Sequence, residues 1–134
     1  MKSALYAVNQ TTQSVAVDGA INPGSIIRRF GCNIGLGGNG VVIDGSGYYS
    51  IDSSFTVLPT AVGTVTITAY KDDVAIPGAT ASETVAALAT SVNLSIDALV
   101  RENCPCCDSA SNITFVVTGV PASITNSAIV IEKL

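Results

Sequence analysis

Residues 63–78 read GTVTITAYKDDVAIPG, and this stretch decides the fold class. In its first half, threonine or tyrosine at every second position alternates with valine, isoleucine or alanine. Successive side chains of a β-strand point to opposite faces. The alternation therefore predicts a strand over Gly63–Tyr70 with one polar and one apolar face.

The second half of this stretch predicts the return strand of a hairpin. Lys71-Asp72-Asp73 supplies an acidic turn, and Val74–Ile76 supplies the second strand. Proline cannot donate to a sheet ladder and glycine tolerates turn geometry, so Pro77-Gly78 is expected to end that strand. The two acidic residues of the turn are assigned to the turn rather than to catalysis.

Similar short runs bounded by turn residues continue along the chain in both directions. The further predicted strands are Leu5–Val8, Ser14–Val17, Ser25–Phe30, Gly40–Ile43, Tyr48–Val57, Thr80–Val85, Ser91–Ile96, Ile113–Thr118 and Ser127–Lys133. Residues 83–90 (ETVAALAT) fit a short helix as well as a strand end. The final strand is expected to be paired within a sheet. About ten strands at this spacing predict an all-β sandwich or barrel.

Composition predicts one folded domain over residues 1–134. Hydrophobic residues make up 48% of the chain and charged residues only 12%, a balance opposite to that of disordered segments. The mean hydropathy is +0.51, yet no apolar run approaches the ~18 to 20 residues of a membrane helix. No membrane partner is therefore expected. The surplus apolar area indicates either an unusually complete core or a surface covered by another subunit, because large exposed apolar patches mark interaction sites, and it is a first indication of an oligomer.

The charge of the chain argues against nucleic acid as a partner. The formal net charge is -4, and six lysines and arginines offer too few phosphate contacts. The N-terminal residues lack the apolar core of a signal peptide, so we expect the protein to fold in a cytoplasm.

No enzyme is predicted, and no catalytic, cofactor-binding or metal site is assigned. The chain has no histidine, which removes the usual general base and the commonest metal ligand. The glycine-rich run Gly35–Gly40 precedes the strand Val41–Ile43 and lacks the lysine and helix of a phosphate loop. We interpret it as a turn between strands, and no cofactor is expected.

Arg28 and Arg29 are adjacent within a predicted strand, so their side chains are expected to point to opposite faces. Long charged side chains are seldom buried unless they are paired. One arginine is therefore expected to reach solvent or a neighbouring molecule, and the other a carboxylate or a subunit boundary.

The cysteines are the residues of the sequence with the most distinctive chemistry. Cys32 stands alone, and Cys104, Cys106 and Cys107 lie within one short segment. Three states remain open: thiols that are free or variably oxidised, one disulfide with or without Cys32, and a zinc site. The spacing disfavours zinc, because structural zinc sites use two C-x(2–4)-C knuckles.

Several segments resemble one family of small jelly-roll proteins. They are Asn39–Ile43 (NGVVI), Gly47–Ile51 (GYYSI), Ala61–Ile67 (AVGTVTI), Lys71–Ala79 (KDDVAIPGA) and Ala128–Leu134 (AIVIEKL). The chain is similar to phage and prophage structural proteins with a tumour-necrosis-factor-like, complement-head-like jelly roll. It also resembles the C-terminal heads of collagen-like exosporium proteins.

The resemblance implies a two-sheet jelly-roll sandwich of about ten strands that assembles as a homotrimer. It implies a non-enzymatic virion structural protein, either a capsid decoration or a fibre head, that contacts other virion proteins. The location implied is the virion surface, after assembly in the host bacterial cytoplasm. The alternative is a carbohydrate-binding or adhesive head. Such a head would need exposed aromatic rings, and most aromatics here are expected in the core.

Overall fold

The computed structural model describes residues 3–37, 39–88, 90–102 and 110–134, and these residues form eleven strands. The strands are β1 (Ser3–Asn9), β2 (Gln13–Val15), β3 (Ser25–Phe30), β4 (Ile34–Gly37), β5 (Gly40–Ile43), β6 (Gly47–Pro59), β7 (Gly63–Lys71), β8 (Val74–Val85), β9 (Val92–Glu102), β10 (Ser111–Gly119) and β11 (Ala122–Lys133). In these parts of the chain, no helix is long and apolar enough to span a bilayer.

The strands form two antiparallel sheets that pack face to face. The first sheet has the order β3-β1-β11-β6-β9, with β2 beside β11, and the second has the order β4-β5-β10-β7-β8. Strand β11 pairs with β1 on one side and with β6 on the other. The predicted all-β sandwich and the predicted pairing of the last strand are both confirmed.

The inward faces of the two sheets form one core. At its centre the rings of Phe55 on β6 and Phe115 on β10 have centroids 5.2 Å apart and planes tilted by 57°. Tilted aromatic pairs at this separation stabilise a core beyond the area that they bury. The other large side chains that are fully buried include Tyr49, Leu5, Ile21, Ile34, Ile43, Ile51, Ile67, Ile96, Ile113 and Ile124.

The prediction that Pro77-Gly78 ends the return strand is wrong. Strand β8 runs without interruption from Val74 to Val85, so the two predicted strands are one. β8 lies at the edge of the second sheet, where proline costs no ladder hydrogen bond if its nitrogen faces outward. Gly78 has a φ of +81°, and the register with β7 shifts between Thr68 and Tyr70. The pair therefore forms an irregularity within the strand.

The glycine-rich run is not wholly a turn, because Ile34–Gly37 forms strand β4. The alternation rule missed this strand because two of its four residues are glycines with no side chain to place on a face. The chain reverses between Gly37 and Gly40 to begin β5. An added Cβ at Gly40 would overlap the carbonyl oxygen of Ile113 on β10, so glycine is required there for close strand packing.

Other strand boundaries differ where long-range pairing overrides local signals. β9 extends past the predicted Ile96 to Glu102 because β6 pairs with it over its whole length. β11 begins at Ala122 rather than Ser127 because β2 and β6 flank its first half. β2 ends at Val15. Residues 83–85 complete β8, and 86–88 form bends and a turn, so the helical alternative is wrong for these residues.

Gly119 gives a stability prediction that separates steric overlap from backbone strain. It adopts a φ of +87°, and an added Cβ would overlap the backbone carbonyl of Thr64. We expect Gly119→Ala to lower the free energy of unfolding by about 3 kcal/mol, measured by urea denaturation. Gly78→Ala is the matched control, because its φ is similar but no atom lies within 4 Å of its added Cβ. Equal losses in the two variants would contradict the overlap.

Candidate functional site

The outer face of the second sheet is rich in hydroxyl groups. Thr64 and Thr84 lie 2.9 Å apart between their Oγ1 atoms, and Thr68 and Thr80 lie 3.2 Å apart. These pairs satisfy part of each other's hydrogen bonding across β7 and β8. The face is compatible with water, and the predicted polar side of β7 is confirmed.

The outer face of the first sheet is different, and its central row illustrates this. In register across β3, β1, β11, β6 and β9, the row consists of Arg28, Tyr6, Val130, Asp52 and Asp97. Residues directly opposite each other across antiparallel strands share a face. The row therefore has a cation at the β3 edge, apolar groups in the middle and two carboxylates at the β9 edge.

The neighbouring row on the same face has apolar groups at both edges. It consists of Phe30, Ala4, Glu132, Ser50 and Leu99 in the same strand order. Phe30 is 66% exposed and Leu99 is 58% exposed. Phe30 and Leu99 therefore stand at opposite edges of the sheet in the same row. Large apolar side chains exposed to this degree are suited to contact with another molecule.

Asp52 and Asp97 form a carboxylate pair on this face. A side-chain hydrogen bond with Asp97 raises the pKa of Asp52, and slight burial and the negative charges of Asp97 and Glu132 act in the same direction. Like charges directly opposite each other destabilise a sheet. The pair lies in a shallow groove of about 290 Å³ that also contacts Ser53, Ser54, Ser95, Ala128 and Val130. The carboxylate pair is therefore suited to receive a cation.

A second polar group lies at the end of the sandwich where β7 ends. Glu102 is almost fully buried, and its Oε1 atom lies 3.8 Å from Nζ of Lys71, which also donates a hydrogen bond of 3.0 Å to the carbonyl of Arg101. The Oε2 atom of Glu102 has no hydrogen-bond partner among the described residues. Lys71 is the cation that compensates this buried carboxylate.

An open cleft of about 460 Å³ lies beside this ion pair, between the start of β8 and the end of β9. Its walls are mostly apolar, with Lys71 and Arg101 at the polar side. The remaining lining residues are Asp72, Val74, Ala75, Ile76, Pro77, Leu99 and Val100. The cleft brings together no nucleophile and general base.

Tyr49 is buried at the same end of the molecule. Its hydroxyl oxygen lies 2.9 Å from the carbonyl oxygens of both Asp44 and Gly45, to which it donates. Burial raises the pKa of Tyr49, and the negative charges of Glu102 and Asp44 raise it further. The hydroxyl is therefore a neutral donor that fixes the turn before β6.

The predicted site residues fall into separate places. Arg28 and Arg29 point to opposite sides, because Arg28 is opposite Tyr6 and Arg29 is opposite the buried Leu5. Cys32 is exposed in the connection between β3 and β4. Its proposed partners Cys104, Cys106 and Cys107 lie outside the described residues, so the three cysteine alternatives stay open.

The acidic turn and the aromatic residues can also be placed. Asp72 and Asp73 have φ values of +50° and +67°, and Oδ1 of Asp72 accepts a hydrogen bond of 3.0 Å from the Asn112 amide. Their predicted role as turn residues is confirmed.

Of the seven aromatic residues, three are buried, Tyr70 is half-buried and three are exposed. The exposed ones are Tyr6, Phe30 and Tyr48.

Sequence reasoning missed the carboxylates of the first sheet and of the buried ion pair. Asp52 and Asp97 each occur singly on the polar face of an alternating strand, which is normal for a solvated residue. The signal that the sequence offers is that each follows an isoleucine on the apolar face of such a strand. Nothing in that signal says that they are opposite each other.

No family model matches the chain, and no curated protein is similar to it in sequence. Solved structures show its fold. Mouse APRIL, in a crystal structure at pH 5.0, has a TM-score of 0.75 and 12% identity, with both chains covered completely. The globular domain of zebrafish complement 1qA protein has a TM-score of 0.70 and 8% identity, over 98% of this chain and 95% of that one.

The vertex protein P5 of phage PRD1 has the same type of fold. Its TM-score is 0.61 and its identity 14%, over 97% of this chain and 94% of that one. These likenesses confirm the predicted jelly roll of the tumour-necrosis-factor and complement-head type. At such low identity they show the fold alone.

Proposed function

We propose that this chain is a non-enzymatic head module that assembles as a homotrimer on the surface of a virion, as a capsid decoration or a fibre head. The observation that carries the proposal is the contrast between the two outer faces. One carries two pairs of threonine hydroxyls across β7 and β8, and the other exposes Phe30, Leu99 and Tyr6 together with the Asp52–Asp97 pair, which has no cation in contact among the described residues. A face of that kind is suited to burial against another subunit.

Two further observations support a structural role at a particle surface. The chain contains no histidine, and the described clefts bring together no catalytic groups. The fold is shared with the PRD1 vertex protein P5 over almost the whole length of both chains. The proposed partners are two further copies of the chain and other virion proteins, and the proposed place of assembly is the host bacterial cytoplasm.

The oligomeric state tests the first part of the proposal. Native mass spectrometry and light scattering of the full chain at micromolar concentration are expected to give three times the 13.6 kDa of one chain. Burial of the exposed apolar side chains is the physical reason. A monomer at that concentration would contradict the trimer.

Location tests the second part. Virions purified on a density gradient from cells that encode the chain are expected to contain it at a fixed ratio to the major shell protein. Trimers that stay at the top of the gradient, with none in the virion fractions, would contradict a virion role and leave the trimer standing. A glycan array with purified trimer tests the adhesive alternative separately.

A further inference from the structure

Two rows on the outer face of the first sheet have chemically complementary ends. In the central row Arg28 stands at the β3 edge and Asp97, paired with Asp52, at the β9 edge. In the next row Phe30 stands at the β3 edge and Leu99 at the β9 edge. In one row a cation and a carboxylate stand at opposite ends, and in the other row two apolar side chains do. Each group could therefore bind the group at the other end of its row.

The complementary ends cannot meet within one protomer. Four strand spacings of about 4.8 Å separate β3 from β9, which puts Arg28 about 19 Å from Asp97 along the row. That distance is greater than the reach of an arginine side chain. Among the described residues of the face, Asp52 and Asp97 have no cation of their own in contact.

The spacing of the groups also matches along the strands. Because every neighbouring pair in the first sheet is antiparallel, β3 and β9 run in the same direction. The step from Arg28 to Phe30 and the step from Asp97 to Leu99 are both two residues. One placement of a second copy therefore satisfies the charge pair and the apolar pair together.

We propose that neighbouring copies of this chain associate head to tail, with Arg28 and Phe30 of one copy against Asp97 and Leu99 of the next. This inference rests on the proposed homotrimer and assigns the residues of its contact. An interface between two different patches on identical chains closes into a ring when the rotation permits, as a three-fold assembly requires. The outer faces of the first sheets then turn toward the ring axis.

Electrostatics gives the contact its specificity. The carboxylate pair is destabilising while it has no counter-ion. The pKa of Asp52 is raised first by its side-chain hydrogen bond with Asp97, and the negative charges of Asp97 and Glu132 raise it further. A guanidinium from a second copy can donate several hydrogen bonds to these carboxylates. Since the groups are exposed in one protomer, added salt is expected to weaken the association by screening.

Charge reversal and charge exchange test the contact. We expect Arg28→Glu and Asp97→Arg each to weaken association by more than about tenfold, measured by sedimentation over a concentration series, because like charges then face each other. The double variant Arg28→Glu with Asp97→Arg is expected to recover association to within about threefold of wild type, because every contact again joins opposite charges. Circular dichroism verifies folding, and Arg28→Ala replaces the reversal if that variant is unfolded.

Arg29→Glu is the matched control. It makes the same charge change one residue away, but Arg29 is opposite Leu5 and faces away from the row. It is expected to associate as wild type does. A trimer unaffected by Arg28→Glu, or single variants that the exchange does not rescue, would overturn this contact while leaving the proposed trimer in place. A monomeric wild type would overturn both.

Discussion

Phe55→Ala is expected to lower the free energy of unfolding by about 4 kcal/mol, a value within the range found when a core phenylalanine is truncated to alanine. Phe55 has no exposed surface, and its ring contacts that of Phe115 on the opposing sheet. The substitution removes the buried ring and leaves a cavity that two paired sheets cannot close. It also removes the tilted aromatic contact at the centre of the sandwich.

Urea denaturation at one fixed protein concentration measures this loss, because the stability of an oligomer depends on concentration. Leu88→Ala is the control, since Leu88 is a large apolar residue that is mostly exposed between β8 and β9. It is expected to change stability by less than about 0.5 kcal/mol. The double variant Phe55→Ala with Phe115→Ala is expected to lose less than the sum of the single losses. Full additivity would contradict a direct ring contact.

The same packing explains why the fold class could be predicted from sequence. The alternation in Gly63–Tyr70 arises because one face of the strand packs on the core and the other meets water. A pattern within eight residues therefore indicates a sheet with one buried face. The strands Ser25–Phe30 and Gly40–Ile43 have the predicted bounds because turn residues flank them closely. Where the strand limits depend on a distant partner, as at the end of β9, local signals stop too early.

Glycine and proline were the main sources of error. The glycines of β4 provide no alternation to detect, and Gly78 fits an edge-strand irregularity as well as it fits a turn. The difference depends on the position of a strand in its sheet. That position is a property of the topology, and no short window of sequence contains it.

The candidate contact illustrates the same division. Sequence reasoning placed Arg28 and Arg29 on opposite sides of a strand and expected one of them to reach solvent or a neighbouring molecule. It could not place Asp97 in the same row as Arg28, because that relation passes through the register of four strand pairs. A one-residue slip in any of those pairs would put the two groups on different faces.

The Lys71–Glu102 pair gives the second large expected effect. Lys71→Met is expected to lower the free energy of unfolding by about 3 kcal/mol, because it leaves the buried Glu102 carboxylate without a cation. The Nζ atom also donates to the Arg101 carbonyl, and that hydrogen bond is lost as well. Methionine keeps most of the apolar stem of lysine, so the loss reports the charge rather than the packing.

A double-mutant cycle separates this explanation from a general weakening of the β7–β8 hairpin. Glu102→Met in the Lys71→Met background removes the uncompensated charge, and burial of its apolar side chain is expected to restore most of the stability. Asp73→Asn removes a negative charge at the exposed tip of the same hairpin. It is expected to leave the free energy of unfolding within about 0.5 kcal/mol of wild type. If the double variant is no more stable than Lys71→Met alone, the ion pair does not account for the loss. Recovery would show that this end of the sandwich is stabilised by neutralising Glu102, since a purely structural role for Lys71 could not be rescued by changing its partner.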